Sequence, residues 1–395
     1  MKRWYVFTTM MIGCAWVMFA VPGKGAETEH FHGVTHGATM PVHASVLPEN
    51  FALEFPLDKS KWPDAGERAL AASDVWGGRI DVRQVFQMGG RWVLFYGSRP
   101  AGGDRGRASL PASVAFSPDL IRWCDSPANP IFDVVEQPWQ GSRARAEGLV
   151  YDEADGRWVL FFGGNGHQHM PGLRGVGVAY SNNLKDWTLD ESNPLVTVAT
   201  GDISNWGAGD NVVRVYPVGV HRHRNTWYMF IMAGGPMPGV YKAAYHIGIL
   251  TADAPEGPWA DTGNNPIVTR GAEGEWDWQG LFAAGGARFH NGRWIIAYAN
   301  RFGKVGFALS DGEDPTSGWS KAPENPYIEG DEIRRSLMLV PTGDSWVLLY
   351  SALDPARGLD SGDPRELYIM RYGAEERAAF LIGDPGLASD GRHCP

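Results

Sequence analysis

The chain has 395 residues, 44% hydrophobic and 20% charged, enough for one large globular domain or two modest ones. Its formal net charge of −10 argues against a surface built to grip nucleic-acid phosphates or an anionic membrane, since both need clustered Lys and Arg. Three cysteines are too few for a disulfide framework or a Cys-rich metal site.

The chain starts Met1-Lys2-Arg3, continues through a largely apolar stretch from Trp4 to Val21, and exits through Pro22-Gly23-Lys24-Gly25-Ala26. A basic start, an apolar centre and small residues at the exit read as a secretory signal peptide over residues 1–26, the alternative being an uncleaved anchor. The expected location is secreted or periplasmic, with no membrane contact after cleavage. No later segment is long and apolar enough to span a bilayer. Residues 27–50 are polar and carry His30, His32, His36 and His43, which reads as a linker in preference to a metal-binding tail. The domain is expected over 51–385, with 386–395 as a C-terminal tail.

From there the chain repeats itself. Short apolar strands begin on or next to Trp92, Trp158, Trp227, Trp294 and Trp346, which lie 66, 69, 67 and 52 residues apart. Each of the first four is followed by a second tryptophan: Trp123, Trp187, Trp259 and Trp319. An Asn-Pro pair begins six residues after each of those, at Asn129, Asn193, Asn265 and Asn325. All-β units of this size repeated five times predict a five-bladed β-propeller forming a single domain. The blades are expected near 74–133, 144–198, 207–269, 278–329 and 331–383. Turn pairs such as Gly89-Gly90, Asp155-Gly156 and Asn291-Gly292 mark hairpins between first and second strands. Blade three is read with a longer hairpin through Pro217–Arg224, which leaves His221 and His223 solvated. The segment near Phe51–Phe55 is a candidate for closing the ring.

In a propeller the first strand of each blade lines the axis, and one mouth of that axis is the usual ligand site. Counting eleven residues back from the tryptophan reaches Asp81, Glu147 and Arg335 in blades one, two and five. In blade three the expected strand start carries Asp210, followed by Asn211. Blade four has no acid there; Asp277 and Gln279 lie just upstream. Convergent carboxylates suit glycosidic bond cleavage, where one acid protonates the leaving oxygen and another acts as base or nucleophile. A third raises the donor's pKa or holds it in place. The competing reading has these acids capping strands, binding a structural cation, or pairing with Arg79, Arg83, Arg143 and Arg145.

The segments Ala115-Phe116-Ser117-Pro118-Asp119-Leu120-Ile121-Arg122-Trp123 and Ala179-Tyr180-Ser181-Asn182-Asn183-Leu184-Lys185-Asp186-Trp187, with their Asn-Pro followers, resemble the blade endings of five-bladed glycoside hydrolases. The resemblance is above all to family 43, and also to families 32, 62, 68 and 117, and it covers about residues 74–350. By position it implies Asp81 as base or nucleophile, Glu147 as modulator and Asp210 as proton donor. The chain departs from the family 43 pattern in having Val82 where proline usually follows the first acid, and in exchanging the acid types at the second and third sites.

Trp76 and Trp206 precede first-strand starts and are candidate sugar platforms. Arg145, His167, Asn211, Gln279 and Arg335 complete the candidate substrate-binding set. No catalytic metal and no cofactor are expected, and a structural cation in the channel stays open. The expected partner is an oligo- or polysaccharide. The resemblance implies hydrolysis of a furanoside or pentoside, with an arabinofuranoside ahead of a xyloside or fructoside. The rivals are a fructan-type transferase or fructosidase and a sugar-binding propeller without catalysis.

Overall fold

The second strand of each blade is a run of aliphatic and aromatic residues with no polar alternation. Val159, Leu160, Phe161 and Phe162 are all fully buried, as are Val347, Leu348, Leu349 and Tyr350. A strand apolar on both faces must be covered on both, and neighbouring blades of a propeller do that. The computed structural model describes residues 54–71, 75, 78–98, 111–133, 144–164, 175–197, 200, 203, 206, 214–235, 244–282, 285–330, 333–342, 345–353 and 365–373. These belong to a compact unit spanning Met40–Pro395; the unit Met1–Thr39 lies outside the described residues.

Five antiparallel sheets follow one another along the chain. Their first strands are Asp81–Met88, Ala144–Asp152, Arg214–His223, Ala287–His290 and Ile333–Pro341. The five tryptophans sit at matching places on the second strands, facing Gln87, Tyr151, Arg222, Phe289 and Pro341 across the hairpins. Blades one to four end on short outer strands, and blade five takes its outer strand from the other end of the chain. Glu67–Leu70 pairs antiparallel with Glu366–Arg371, so main-chain hydrogen bonds join the ends of the ring. The closing strand therefore lies beyond Phe51–Phe55. Phe55 itself stacks on Trp346 with ring centroids 6.1 Å apart, and residues 51–53 are outside the described set.

The Asn-Pro repeat has a physical explanation. Each asparagine amide satisfies both main-chain groups of one residue on the third strand. Asn129 accepts from the Val114 N–H at 2.8 Å and donates to its carbonyl at 2.8 Å. Asn193 does the same to Val178, Asn265 to Ile249 and Asn325 to Phe307. The side chain thus extends the pairing of the third strand one residue beyond its two-residue outer strand, where an unpaired buried main-chain N–H would be costly. The preceding turn is also built by side chains. The Asp119 and Asn183 Oδ1 atoms each accept two main-chain N–H groups. Each turn leaves a buried leucine with positive φ, 68° at Leu120 and 60° at Leu184.

Arg288 crosses the axis. This buried side chain starts on blade four and donates to the carbonyls of Leu339 in blade five and Val85 in blade one, at 3.0 and 2.8 Å. Gly285 lies so close to the Leu337 carbonyl that a Cβ would sit 1.0 Å from its oxygen. The inner strands are packed closely there.

Candidate active site

Four first strands carry a β-bulge near their start: between Val82 and Gln84, Ala146 and Gly148, Pro217 and Gly219, and Arg335 and Met338. Bulges bend strands and re-aim side chains, and they gather near functional sites. Just before the bulge, each strand faces the residue five after its blade's tryptophan. Asp81 faces Gly97, Arg145 faces Gly163, Tyr216 faces Met232 and Arg335 faces Ser351. In blade four an isolated bridge puts Phe282 opposite Ala299 at the same level. The ring at this level is therefore Asp81, Arg145, Tyr216, Phe282 and Arg335.

This register corrects the expected row of three equivalent acids. Blade two turns through residues 153–156, because Asp152 pairs with Arg157, whereas blade one turns through Gly89-Gly90 alone. Counting back eleven overshoots the bulge in blade one and stops on it in blade two. Arg145, not Glu147, is the counterpart of Asp81, and Glu147 sits on the bulge, level with Arg83. The longer hairpin expected in blade three is absent. His223 pairs with Thr226 across Arg224-Asn225, so Tyr216 holds the ring position. Asp210 and Asn211 precede that strand and, with Trp76 and His167, lie outside the described residues.

Asp81 is 0% exposed. Arg79 donates to its two oxygens, Nε to Oδ2 at 2.9 Å and Nη2 to Oδ1 at 3.3 Å. Arg365 donates to Oδ1 from the start of the last blade-five strand. Burial alone would raise the pKa of this carboxyl. Arg365, then Arg79, Arg83 and Arg145, outweigh burial and hold it well below the usual carboxylate range. Glu147 is also buried and lies between Arg83 at 3.1 Å and Arg145 at 3.2 Å. The competing sequence reading, in which Arg79, Arg83 and Arg145 pair with these acids, describes what the side chains do. It favours the ionised form of Asp81, the form a base or nucleophile needs.

An aromatic wall continues the ring. The Arg145 guanidinium lies 5.5 Å from the Tyr216 ring centre, Tyr216 meets Tyr245 at 6.1 Å, and Tyr245 meets Phe282 edge-on at 5.2 Å. Arg335 closes the circle next to Asp81. Among the described residues its Nη1 and Nη2 donate to the main-chain carbonyls of Arg334 and Arg301, at 3.0 and 2.7 Å. Burial and the neighbouring Arg301 push its guanidinium down to about 10.

Trp206 is a correction. It is 2% exposed and packs with Trp227 and Trp259 in a core cluster, its ring directly over Gly248, so it offers no platform to a sugar. His221 and His223 are half-buried and not fully solvated, lying against the Trp294 ring at 5.7 and 5.5 Å. Asp277 is tied to Lys321 at 2.6 Å in blade four. Gln279, in the same loop, is half-buried, and its side-chain oxygen accepts no hydrogen bond among the described residues. Arg365 and the tyrosine wall escaped sequence reasoning. Arg365 is 284 residues from Asp81 and carries no local signal, but counting Tyr216 by the blade-one rule would have found it. No cluster of three or more His, Cys, Asp or Glu able to hold a metal occurs among the described residues.

No family model matches this sequence, and no curated protein matches it. Solved structures do. The protein called BT0996, in a complex with RGII, superposes with a TM-score of 0.59 at 17% identity, over 82% of this chain and 96% of its own. A thermostable family 43 glycoside hydrolase gives 0.50 at 14%, over 75% and 91%. A Bombyx mori family 32 β-fructofuranosidase gives 0.53 at 11%, over 79% and 63%. The chain shares the five-bladed propeller fold of these glycoside hydrolases, at identities that leave it divergent from each.

Proposed function

We propose that this protein is a glycoside hydrolase with Asp81 as its ionised base or nucleophile. The observation that carries the reading is a buried carboxylate held in its charged form in the ring of residues that the inner strands place at one level. It is flanked by an aromatic wall, in a fold shared with carbohydrate-cleaving enzymes. That one neighbour is a complex with RGII and another is a β-fructofuranosidase supports a carbohydrate substrate. Within that class an arabinofuranoside or another pentoside comes first. Glu147 and Asp210 are the candidates for modulator and proton donor, and the donor must be neutral at working pH. The signal-like residues 1–26 support export, and N-terminal sequencing of protein from the culture medium tests it: a mature chain starting near residue 27 is expected.

Turnover of a panel of nitrophenyl furanosides and pyranosides, with product analysis, tests the central reading. Hydrolysis of at least one, lost in Asp81→Asn, is the expected outcome. A folded wild-type protein that binds sugars and cleaves none would favour the second reading, a sugar-binding propeller. One observation favours that rival: both described carboxylates are already paired with arginines.

A further inference from the structure

Among the described residues the ring holds more positive than negative charge. Arg79, Arg83, Arg145, Arg335 and Arg365 surround two carboxylates, Asp81 and Glu147. All of these arginines except Arg335 are paired with one of the two acids. Arg335 pairs with no carboxylate among the described residues. The bonds it donates there go to two main-chain carbonyls, and its charged neighbour is another arginine, Arg301. Holding a half-buried guanidinium beside another arginine without a counter-charge is costly, and the two carbonyls it meets carry no charge to offset it. The same position in blades three and four holds Tyr216 and Phe282, so an uncharged side chain fits this level of the ring.

From this imbalance we infer that Arg335 receives the carboxylate of a uronic acid, so that the substrate is an acidic glycan with a uronate within about one sugar unit of the bond cleaved. The inference rests on the glycoside hydrolase reading for where substrate lies. A planar guanidinium with main-chain acceptors on two of its nitrogens is fixed in orientation. Its remaining N–H groups can meet the two oxygens of a carboxylate, a geometry that a lone lysine ammonium does not offer. Arg365, tied to Asp81 beside it, adds to the same field. The overall charge of −10 does not weaken this, because the positive groups are concentrated around one ring while the acids are spread along the chain.

The test uses matched pairs of probes: oligogalacturonides and glucuronoxylan oligosaccharides, each as the free acid and as the neutral methyl ester, with a sulfated neutral oligosaccharide as a third arm. Affinity is measured by calorimetry at low and high salt on the wild type, Arg335→Gln and Arg335→Lys. At least about ten-fold tighter binding of one acid than of its ester is expected, as one charge-assisted bidentate contact provides. The preference should shrink with salt, vanish in Arg335→Gln and survive in part in Arg335→Lys. Equal affinity for acid and ester, or no binding of either, overturns the inference, as does a preference for the sulfated probe or an acid preference unchanged in Arg335→Gln. Should Arg335→Gln fail to fold, the wild-type comparison and Arg335→Lys decide alone. Turnover on neutral glycosides with no acid preference would defeat this inference and leave the hydrolase reading standing. An acid preference without turnover on any substrate would do the reverse.

Discussion

At the residue scale, the role proposed for Asp81 in the chemistry and its place between two arginines are separated only in part by one substitution. Asp81→Asn removes the charge that the proposed mechanism requires and should, on that proposal, cost at least about 10²-fold in kcat/KM on any glycoside the wild type cleaves. It also leaves Arg79 and Arg365 buried beside a neutral amide, so a stability loss of about 3–5 kcal/mol is expected alongside. Kinetics and a denaturant melt on the same preparation check both. A folded variant with wild-type turnover would remove Asp81 from the mechanism. Two histidines set a different limit. Burial, then Arg288 and His223, push His221 down to about 3, and burial, then Arg270 and Lys321, push His246 down to about 4. The unfolded chain therefore binds protons more readily than the fold at both sites. The stability they permit is complete above the ordinary value of 6.5 and is lost as pH falls towards those folded values. By pH 5 each should have removed about 2 kcal/mol. Asp81, whose pKa is also depressed, acts only below about 3.8, outside that window. A urea midpoint that falls between pH 7 and 5, with a shallower fall in His246→Asn, is the expected result; a flat profile would show these imidazoles to be solvated.

At the scale of elements, the four asparagine clamps are separable from the chemistry. Asn193 contacts the Val178 main chain through both amide atoms, on a blade edge away from the ring. Asn193→Ala should cost about 1–3 kcal/mol, because it strands the buried Val178 N–H, while the Val178 carbonyl keeps the Asp190 N–H. kcat/KM should stay at the wild-type value, and a large kinetic effect would mean that blade two's outer edge shapes the site. The hairpins show how much one turn can decide. Two extra residues between Asp152 and Arg157 shift every count made from Trp158 by two, which exchanges an acid for an arginine at the ring.

At the scale of the whole molecule, the ring is held from both sides. The outer strand Glu67–Leu70 ties the chain ends together, and Arg288 ties blades one, four and five across the axis. Arg288→Met keeps much of the bulk and leaves the Val85 and Leu339 carbonyls without their donor. A loss of at least about 3 kcal/mol is expected from two hydrogen bonds to a charged group. Thermal unfolding checks it, and an unchanged Tm would show that packing alone holds the axis.

The sequence by itself determined the architecture. Five Trp-led strands, apolar on both faces, can be buried only between neighbours, and the Asn-Pro spacing records a local contact within each blade. Such short-range constraints repeat in sequence because they repeat in space. The sequence also singled out Asp81 and Arg335, since blades one and five share one hairpin length. What only the tertiary structure decided was the membership of the ring. Bulges and turn lengths set which residue faces the axis, and the longer turn of blade two leaves no mark that counting can see. Nor could spacing reveal that Trp206 is core or that His221 and His223 pack on the Trp294 ring of the next blade. Nor could it reveal that Arg365, 284 residues away, lies on Asp81, a contact that exists because the ring closes and brings together parts of the chain that share no local pattern.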